Sequence, residues 1–465
     1  MIVESYRSSP ESLDPVAAFS DVAHEMLGRV YSGVLRYDGA GRLAPDLAIL
    51  HEATPERVSL RFSSDVMWHD GRPLTPADIV ETISRYSSDE YPFSAPFKTI
   101  GRVDVAAWPD VTFHLDRPSF AILHALTSRV LPAHVKDLDH NPIGTGFYRA
   151  GNRDAGSITL LANPSYHRQP PAIPAVCCRT VPDPTTQYLE LAAGSTDLSE
   201  IPMDLLREAE GDPDMVSRVR VLSVPTRAVE LLFFNMNRLT SLSVRRTIAR
   251  CVNREEIVRY LYWGRGRVVD SAFLDGEWKD DSATVPDFDP PSGLGGRDLQ
   301  SMPARLAILY NSESSKRGQI AQVIQQGLID HLGIDAVVVP LERGLFEKRL
   351  FSGDFDCAIY GFSFSADPDD VGNLYRSNSE YNVSAYRNRD VDDLFAKAAD
   401  LLPGEEKRRS YGLIQRTICD DLPSLPLLTY SIPMGVSRRL TIVAPAIIGD
   451  TYRFTREQNL WTFAQ

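Results

Sequence analysis

Residues 305–339 read RLAILYNSESSKRGQIAQVIQQGLIDHLGIDAVVV and contain the pattern of a strand, a helix and a second strand. Residues 305–310 and 336–339 are short apolar runs of the kind found in buried strands. Between them, one helix face carries Ile320, Val323, Ile324, Leu328 and Leu332. Gly333 stands where such a helix would end. The unit implies parallel strands joined by a right-handed crossover, so the second half of the chain is predicted to be α/β.

Similar patterns predict strands and helices outside this unit. Strands are expected at residues 2–6, 58–62, 111–115 and 355–362, the last as a third strand of the same sheet. Thr75, Pro76 and Asp78 have the composition of a helix start, and that helix is predicted to end near residue 86. Further helices are expected at residues 22–31, from Asp390 with Leu394, Ala398 and Leu401 inward, and around Tyr411, Ile414 and Ile418.

The size of the chain indicates how many domains it has, and its charge limits the classes of partner that it can bind. Its 465 residues exceed what one compact core accommodates, so two or three domains are expected. The formal net charge of -13 repels phosphate backbones, which argues against nucleic acid as a partner. No apolar stretch reaches the ~18 residues that span a bilayer. The chain also contains a basic cluster, which we interpret as a solvated helix face; it is formed by Arg245, Arg246, Arg250 and Arg254.

Motifs that identify common enzymes and metal proteins are missing from the sequence. There is no G-x-S-x-G elbow, no H-E-x-x-H and no P-loop, so catalysis is not expected. The five cysteines lack metal-ligand spacing, and buried free thiols are expected at Cys251, Cys357 and Cys419. Residues 367–370 read DPDD, where a turn with helix-capping acids is favoured over a ligand-lining loop or a calcium site.

A series of short motifs extends along the chain from residue 12 to residue 430, and the most distinctive is WHDGRPLTPADI at residues 68–79. The others are SLDP at 12–15, VYSGVL at 30–35, LAPDLA at 43–48, IGTGFY at 143–148, RTIA and NREEIV within 246–258, YN and DVD within 381–392, and PSLPL at 423–427. With these motifs in this order, the chain resembles the large substrate-binding proteins of ABC importers for oligopeptides, nickel and other solutes. These proteins form the extracellular solute-binding family 5.

The resemblance implies a fold. The chain would be α/β, with the two-lobed type II fold of periplasmic binding proteins, of the cluster C kind in which an extra subdomain is inserted in the first lobe. The first lobe would comprise residues 1–43, 142–237 and 428–465, the inserted subdomain residues 44–141, and the second lobe residues 238–427. Strands near residues 230–235 and 427–431 would form the hinge.

The resemblance also implies a function. The chain would be the substrate-binding component of an ABC importer and not an enzyme. It would capture a small-molecule or peptide ligand by hinge closure and deliver it to the membrane permease. It would act without a cofactor, as a monomer, in the periplasm or outside the cell at the membrane. An unrecognised hydrolase and a ligand-sensing regulatory domain are the alternatives.

The N-terminus bears on the location of the protein. Its first residues, MIVESYR, lack the charged and apolar regions of a secretory signal. A cytosolic protein and a mature N-terminus preceded by an added methionine are both compatible with this sequence. The resemblance favours the second, with the signal peptide absent from the chain.

Positions at which family members contact ligand can be located in this chain. They lie in the N-terminal loop, the first hinge strand, the second lobe, and the loop after its third strand. The corresponding residues are Ser8, Ser9, Phe19, Ser20, Phe233, Phe234, Asn235, Arg343, Phe362, Phe364, Ser365 and Asp367. Hinge packing for Phe233 and plain solvent exposure for Arg343 remain open alternatives.

The chain departs from the peptide-binding members in the loop after the third strand. Those members carry an Asp shortly after a Trp, and that Asp pairs with the amino terminus of the peptide. Here Phe362 replaces the Trp, Ser365 stands near the Asp position, and Asp367 follows. A buried ammonium without a carboxylate is costly, so peptides are expected only if Asp367 substitutes. Aromatic and hydroxyl groups with Arg343 would instead suit a sugar or opine-type conjugate.

Overall fold

The computed structural model describes residues 1–38, 42–117, 119–274, 278–291, 302–364, 367–443, 454–455 and 457–464. The chain divides into two compact units. Unit 1 contains Met1–Pro225 and Ile432–Gln465, and unit 2 contains Thr226–Ser431. The lobe boundaries at 237/238 and 427/428 and the subdomain at 44–141 stay predictions.

The strands of the described residues are numbered in chain order. They are β1 (Ile2–Tyr6), β2 (Leu35–Tyr37), β3 (Leu43–Pro45), β4 (Ala48–Thr54), β5 (Arg57–Phe62), β6 (Ile100–Ala107), β7 (Asp110–Leu115), β8 (Tyr148–Asp154), β9 (Ser157–Ala162), β10 (Ala175–Thr180), β11 (Leu198–Glu200), β12 (Val219–Phe234), β13 (Gly266–Val268), β14 (Arg305–Asn311), β15 (Asp335–Leu341), β16 (Cys357–Ser363), β17 (Ser424–Ser437), β18 (Leu440–Thr441) and β19 (Thr462–Phe463). β12 and β17 each continue from one unit into the other.

The helices are numbered in the same way. They are α1 (Asp21–Val30), α2 (Pro76–Tyr86), α3 (Ala121–Ala125), α4 (Pro184–Ala192), α5 (Leu206–Gly211), α6 (Pro213–Arg218), α7 (Leu242–Arg250), α8 (Arg254–Glu256), α9 (Ser315–Leu332), α10 (Arg343–Phe351), α11 (Gly372–Tyr375), α12 (Arg389–Ala399) and α13 (Glu405–Asp421). Within the described residues, no helix combines the length and the apolar character needed to cross a membrane.

The larger sheet of unit 1 brings three parallel strands side by side. Its order is β11-β1-β10-β9-β8, and the end of β17 pairs with β11. β1 is parallel to β10 and to β11, with Ile2 opposite Val176 and Glu4 opposite Leu198. Met26 of α1 is buried in the same apolar cluster as Ile2 and Val176. Because parallel strands end at one edge, the residues that follow β1, β10 and β11 lie close together.

A second sheet of unit 1, with the order β4-β5-β7-β6, has its own apolar core with α2. Asp78 explains the motif at residues 68–79. Its Oδ2 accepts hydrogen bonds from Thr75 N at 2.7 Å and from Trp68 Nε1 at 3.3 Å. Its Oδ1 accepts one from Ala133 N at 2.8 Å. The predicted helix start is confirmed, and the same carboxylate also holds two neighbouring segments.

A buried charge network connects the two chain segments of unit 1. Arg29 in α1 is fully buried and donates to Glu4 Oε2 at 2.8 Å and to Glu25 Oε1 at 3.3 Å. It also donates to Thr455 Oγ1 at 3.0 Å, and Gln458 donates to the other oxygen of Glu4 at 2.5 Å. Residues near the C-terminal end therefore complete the hydrogen bonding of charges buried near the N-terminal end.

Unit 2 contains the predicted β-α-β unit. Its sheet has the order β15-β14-β16-β12-β17, and β14 is parallel to both β15 and β16. α9 connects β14 to β15, and Gly333 ends it with φ of 64°, in the left-handed region. Of the predicted helix face, Ile320, Ile324, Leu328 and Leu332 are buried. This part of the fold is confirmed.

The helix expected from Asp390 is present, but its inward face differs in part from the expectation. α12 begins at Arg389 with Asn388 as its cap, and its buried residues are Val391, Phe395 and Ala398. Ala398 is buried as expected, Leu394 is partly buried against the same apolar cluster, and Leu401 lies beyond the end of the helix.

The arginine cluster is not a solvated face as a whole. Arg245 is buried and donates to the carbonyls of Leu422 at 3.0 Å and Asp421 at 2.7 Å, at the end of α13. Arg254 is also buried and donates to Val269 O at 3.0 Å. Both side chains therefore pair with backbone carbonyls inside the unit and are not part of a solvated face.

The cysteines agree with expectation. Cys251, Cys357 and Cys419 are buried free thiols, and of the adjacent pair in β10 Cys178 is buried while Cys177 is half-buried.

Candidate functional site

The carboxyl edge of the parallel strands in unit 1 holds the first predicted segment. Ser8 and Ser9 follow β1, and both are exposed. The hydroxyl of Ser9 lies 2.8 Å from that of Thr180, the last residue of β10. In open α/β sheets this edge is where ligands bind, so both serines occupy a suitable position.

An ion pair at the same edge was missed by the sequence reasoning. Glu200 ends β11, and its Oε1 accepts a hydrogen bond from Arg7 Nη2 at 3.2 Å. Burial raises the pKa of Glu200, and the charge of Arg7 opposes this shift. The residues are far apart in the sequence, so no local motif could have paired them.

Phe19 and Ser20 lie at the start of α1. Ser20 is the cap of this helix and accepts a hydrogen bond from Ala23 N at 3.2 Å. Glu11 accepts hydrogen bonds from the backbone N–H groups of both residues. The ring of Phe19 is exposed and stacks on Tyr91 at 6.5 Å. Ser20 therefore has a structural role, and the Phe19 ring offers an aromatic surface.

The hinge-strand residues are buried in unit 2. Phe233 and Phe234 point to opposite sides of β12 and belong to different apolar clusters. Asn235 donates from Nδ2 to the carbonyls of Gly353 and Phe355, each at 2.8 Å. These contacts give Phe234 and Asn235 structural roles. Phe233 is likewise packed in an apolar cluster of unit 2.

Aromatic residues line one side of β16 in unit 2. Tyr360 and Phe362 are two residues apart in the strand and Phe364 directly follows it, with ring separations of 5.1 Å between the first two and 6.5 Å between the last two. Phe362 also contacts the ring of Phe233 at 5.9 Å, so the structure brings these two predicted residues together. Phe364 is buried.

Charged residues surround Tyr360 at the carboxyl edge of this sheet. Arg317 lies over its ring at 5.1 Å and donates two hydrogen bonds, of 2.9 Å and 3.2 Å, to Glu230. The predicted residue Arg343 is exposed at the start of α10 and pairs with Glu347 at 3.0 Å. Glu230 and Arg317 were not found from the sequence, because they lie in separate strands and helices.

Asp367 is engaged within unit 2. It caps the short 3-10 helix Pro368–Val371 and accepts a hydrogen bond from Asp369 N at 3.0 Å. Burial, and then the charge of Asp369, raise the pKa of Asp367 to about 7. Lys407 and Arg376 oppose the shift. The preferred interpretation of residues 367–370 as a turn with capping acids is confirmed, and Ser365 lies outside the described residues.

A metal centre is not evident in the part of the chain that the structure describes. No group of three or more His, Cys, Asp or Glu side chains is placed to hold an ion there. Each unit therefore has its own candidate groups, which are hydroxyls and an ion pair in unit 1, and aromatics and ion pairs in unit 2.

Comparison with known proteins places these features in a family. The family model described as bacterial extracellular solute-binding proteins, family 5 Middle, matches residues 61–384. The peptide transport periplasmic protein SapA of Salmonella typhimurium is 24% identical over 441 residues, covering 83% of this chain and 78% of its own. The oligopeptide-binding protein AppA of Bacillus subtilis is 24% identical over 407 residues, covering 78% and 74%.

Solved structures agree on the fold. The ABC transporter substrate-binding protein CtaP of Listeria monocytogenes has a TM-score of 0.89 at 22% identity, covering 100% of this chain and 99% of its own. NikZ of Campylobacter jejuni, solved with Ni(L-His), has a TM-score of 0.82 at 20% identity, covering 99% of each chain. The predicted two-lobed type II fold is confirmed. The chain belongs to the bacterial extracellular solute-binding proteins of family 5.

Proposed function

We propose that this protein captures a small organic solute by hinge closure and delivers it to the membrane permease of an ABC importer. The match of the family model over residues 61–384 carries this proposal. The continuity of β12 and β17 across the unit boundary supports it, because two strands that bend together can change the angle between units without breaking their cores. No chemical step is required, so we propose binding without catalysis.

The ligand we propose is a peptide-like solute or a sugar or opine-type conjugate. Each unit offers an aromatic side chain, Phe19 in unit 1 and Phe362 in unit 2, and each also offers a charged group, Glu200 in unit 1 and Arg343 in unit 2. Aromatic faces with a few charged groups suit a mixed polar and apolar solute. Relatives whose names specify peptides support the first class. The structure of AgaA with agropinic acid, which has a TM-score of 0.75, supports the second.

We further propose that the protein acts as a monomer outside the cytoplasm, attached to the membrane or free in the periplasm. The names of SapA and its relatives as periplasmic proteins support this location.

A thermal-shift screen tests the proposed function. Short peptides, sugars, opines and sugar phosphates are each added to the full chain, and hits are measured by calorimetry. A ligand at a hundred times its Kd stabilises the native state by about 2.7 kcal/mol, so it raises the Tm. Small-angle scattering should show a smaller radius of gyration with the hit bound. Conversion of a bound compound into a product, detected by mass spectrometry, would contradict binding without catalysis.

A further inference from the structure

The ion pair between Arg7 and Glu200 is unequal in how firmly its two members are held. Glu200 is fixed in β11, between β1 and β17, and its side chain is 39% exposed. Arg7 belongs to the loop that follows β1, and its side chain is 49% exposed. Either member could in principle be displaced by a solute of matching charge.

The costs of the two displacements differ. If a cation replaced Arg7, the guanidinium would return to water, where it is well solvated. If an anion replaced Glu200, the carboxylate would stay in the strand, partly desolvated and without a cation. In the described part of the chain no second cationic group pairs with Glu200. The geometry therefore favours exchange of the cation over exchange of the anion.

The position of the pair suits ligand exchange. Glu200 ends β11 at the edge where β1 and β10 also end, and the hydroxyls of Ser9 and Thr180 lie at the same edge, on the other side of β1. Exposed pairs of this kind contribute little to stability, so the exchange has a small cost. Glu200 also offers a carboxylate in unit 1, whereas Asp367 in unit 2 is engaged as a helix cap.

We propose that Glu200 binds a positively charged amine of the solute, and that Arg7 occupies this carboxylate when no solute is bound. This inference rests on the proposed function. The amine can be the amino terminus of a peptide or the amino group of a sugar, since both present an ammonium group. Glu200 is thereby a specificity-determining residue for the charge of the ligand.

Titration calorimetry on the full chain and three variants tests the inference. The probes are trialanine and glucosamine, each compared with its N-acetylated form. Glu200→Gln should weaken binding of the amine probes about ten- to a hundredfold, the effect of a lost charge-assisted hydrogen bond. Arg7→Ala should strengthen binding up to about fivefold, because it removes the competing cation. The matched control is Glu52→Gln, since the pair of Glu52 with Arg57 is similarly exposed, at 48% and 46%.

The signs of these effects decide the outcome. The inference is supported if only the amine-bearing form of a probe responds, with opposite signs for Glu200→Gln and Arg7→Ala and no change for Glu52→Gln. It is overturned if acetylated probes bind as tightly as amines, or if Arg7→Ala weakens binding while Glu200→Gln strengthens it. It is also overturned if only solutes without an amine bind in the wider screen, and solute capture then stands. A screen without any ligand would count against both proposals. Matching melting curves confirm that each variant folds.

Discussion

Replacing Arg29 by methionine should destabilise unit 1 more than any exposed substitution. The side chain is buried and donates hydrogen bonds to Glu4, Glu25 and Thr455. Methionine fills similar volume but leaves two carboxylates without their cation. Breaking a buried ion pair in this way costs about 3–5 kcal/mol. The free energy of unfolding of a domain of ordinary size is about 5–15 kcal/mol, so Arg29→Met should remove a large fraction of the stability of unit 1.

The assay is urea unfolding followed by far-ultraviolet circular dichroism. With two units present, the transition of unit 1 is identified as the one that moves in Arg29→Met. Arg57→Met, which breaks the exposed pair with Glu52, is the control and should change the free energy of unfolding by less than about 1 kcal/mol. Adding Glu4→Gln to Arg29→Met should recover part of the loss, because it removes one of the unpaired charges. A loss below about 1 kcal/mol for Arg29→Met would refute the reasoning, since it would mean that the buried carboxylates need no cation.

Three further predictions concern unit 2. Gly333→Ala should lower the free energy of unfolding by about 1 kcal/mol, because the φ of Gly333 is 64°, in the left-handed region. The control is Gly211→Ala, which lies in a helix with open space around it and should not lower this free energy. Equal effects of the two substitutions in urea titrations would contradict the prediction. Asn235→Ala should lower the free energy of unfolding by about 1–3 kcal/mol, because it removes the donor of one buried and one partly buried carbonyl, and calorimetry should show an unchanged solute affinity. A specific loss of affinity would instead identify Asn235 as a ligand contact. Asp367 has a folded pKa raised from 3.8 to about 7, so the folded state holds a proton that the unfolded state has released, and stability should fall as pH rises through this window. Asp367→Asn should flatten that dependence in melting curves, and an unchanged slope would show that another group titrates.

Local patterns predicted much of the fold. β1 was placed at its observed ends, and the β14-α9-β15 unit followed from apolar periodicity and Gly333, because each signal lies within a few residues of the element it specifies. The face of α12 was predicted only in part. Val391, Phe395 and Ala398 are buried, and this set has the same helical spacing as the expected Leu394, Ala398 and Leu401, so periodicity alone did not distinguish the two faces.

The candidate site was less accessible to sequence reasoning. The resemblance located β12 but not the side to which each residue points, and Phe234 and Asn235 proved to be packed within unit 2. Arg7 and Glu200 are 193 residues apart, and Arg317 and Glu230 are 87 apart. These pairs form because the strand order brings distant segments of the chain together, and the strand order cannot be derived from a single sequence.

The buried network around Arg29 has a consequence for the order of folding. Unit 2 is one continuous segment, so all of it is available before synthesis ends. Unit 1 is not, because Arg29 bonds to Thr455 and Glu4 bonds to Gln458, partners 426 and 454 residues further along the chain. Closing such long loops is slow, and the charges are incompletely satisfied until then. We expect unit 2 to become native first, and a nascent chain lacking its last residues to remain accessible to proteases within unit 1.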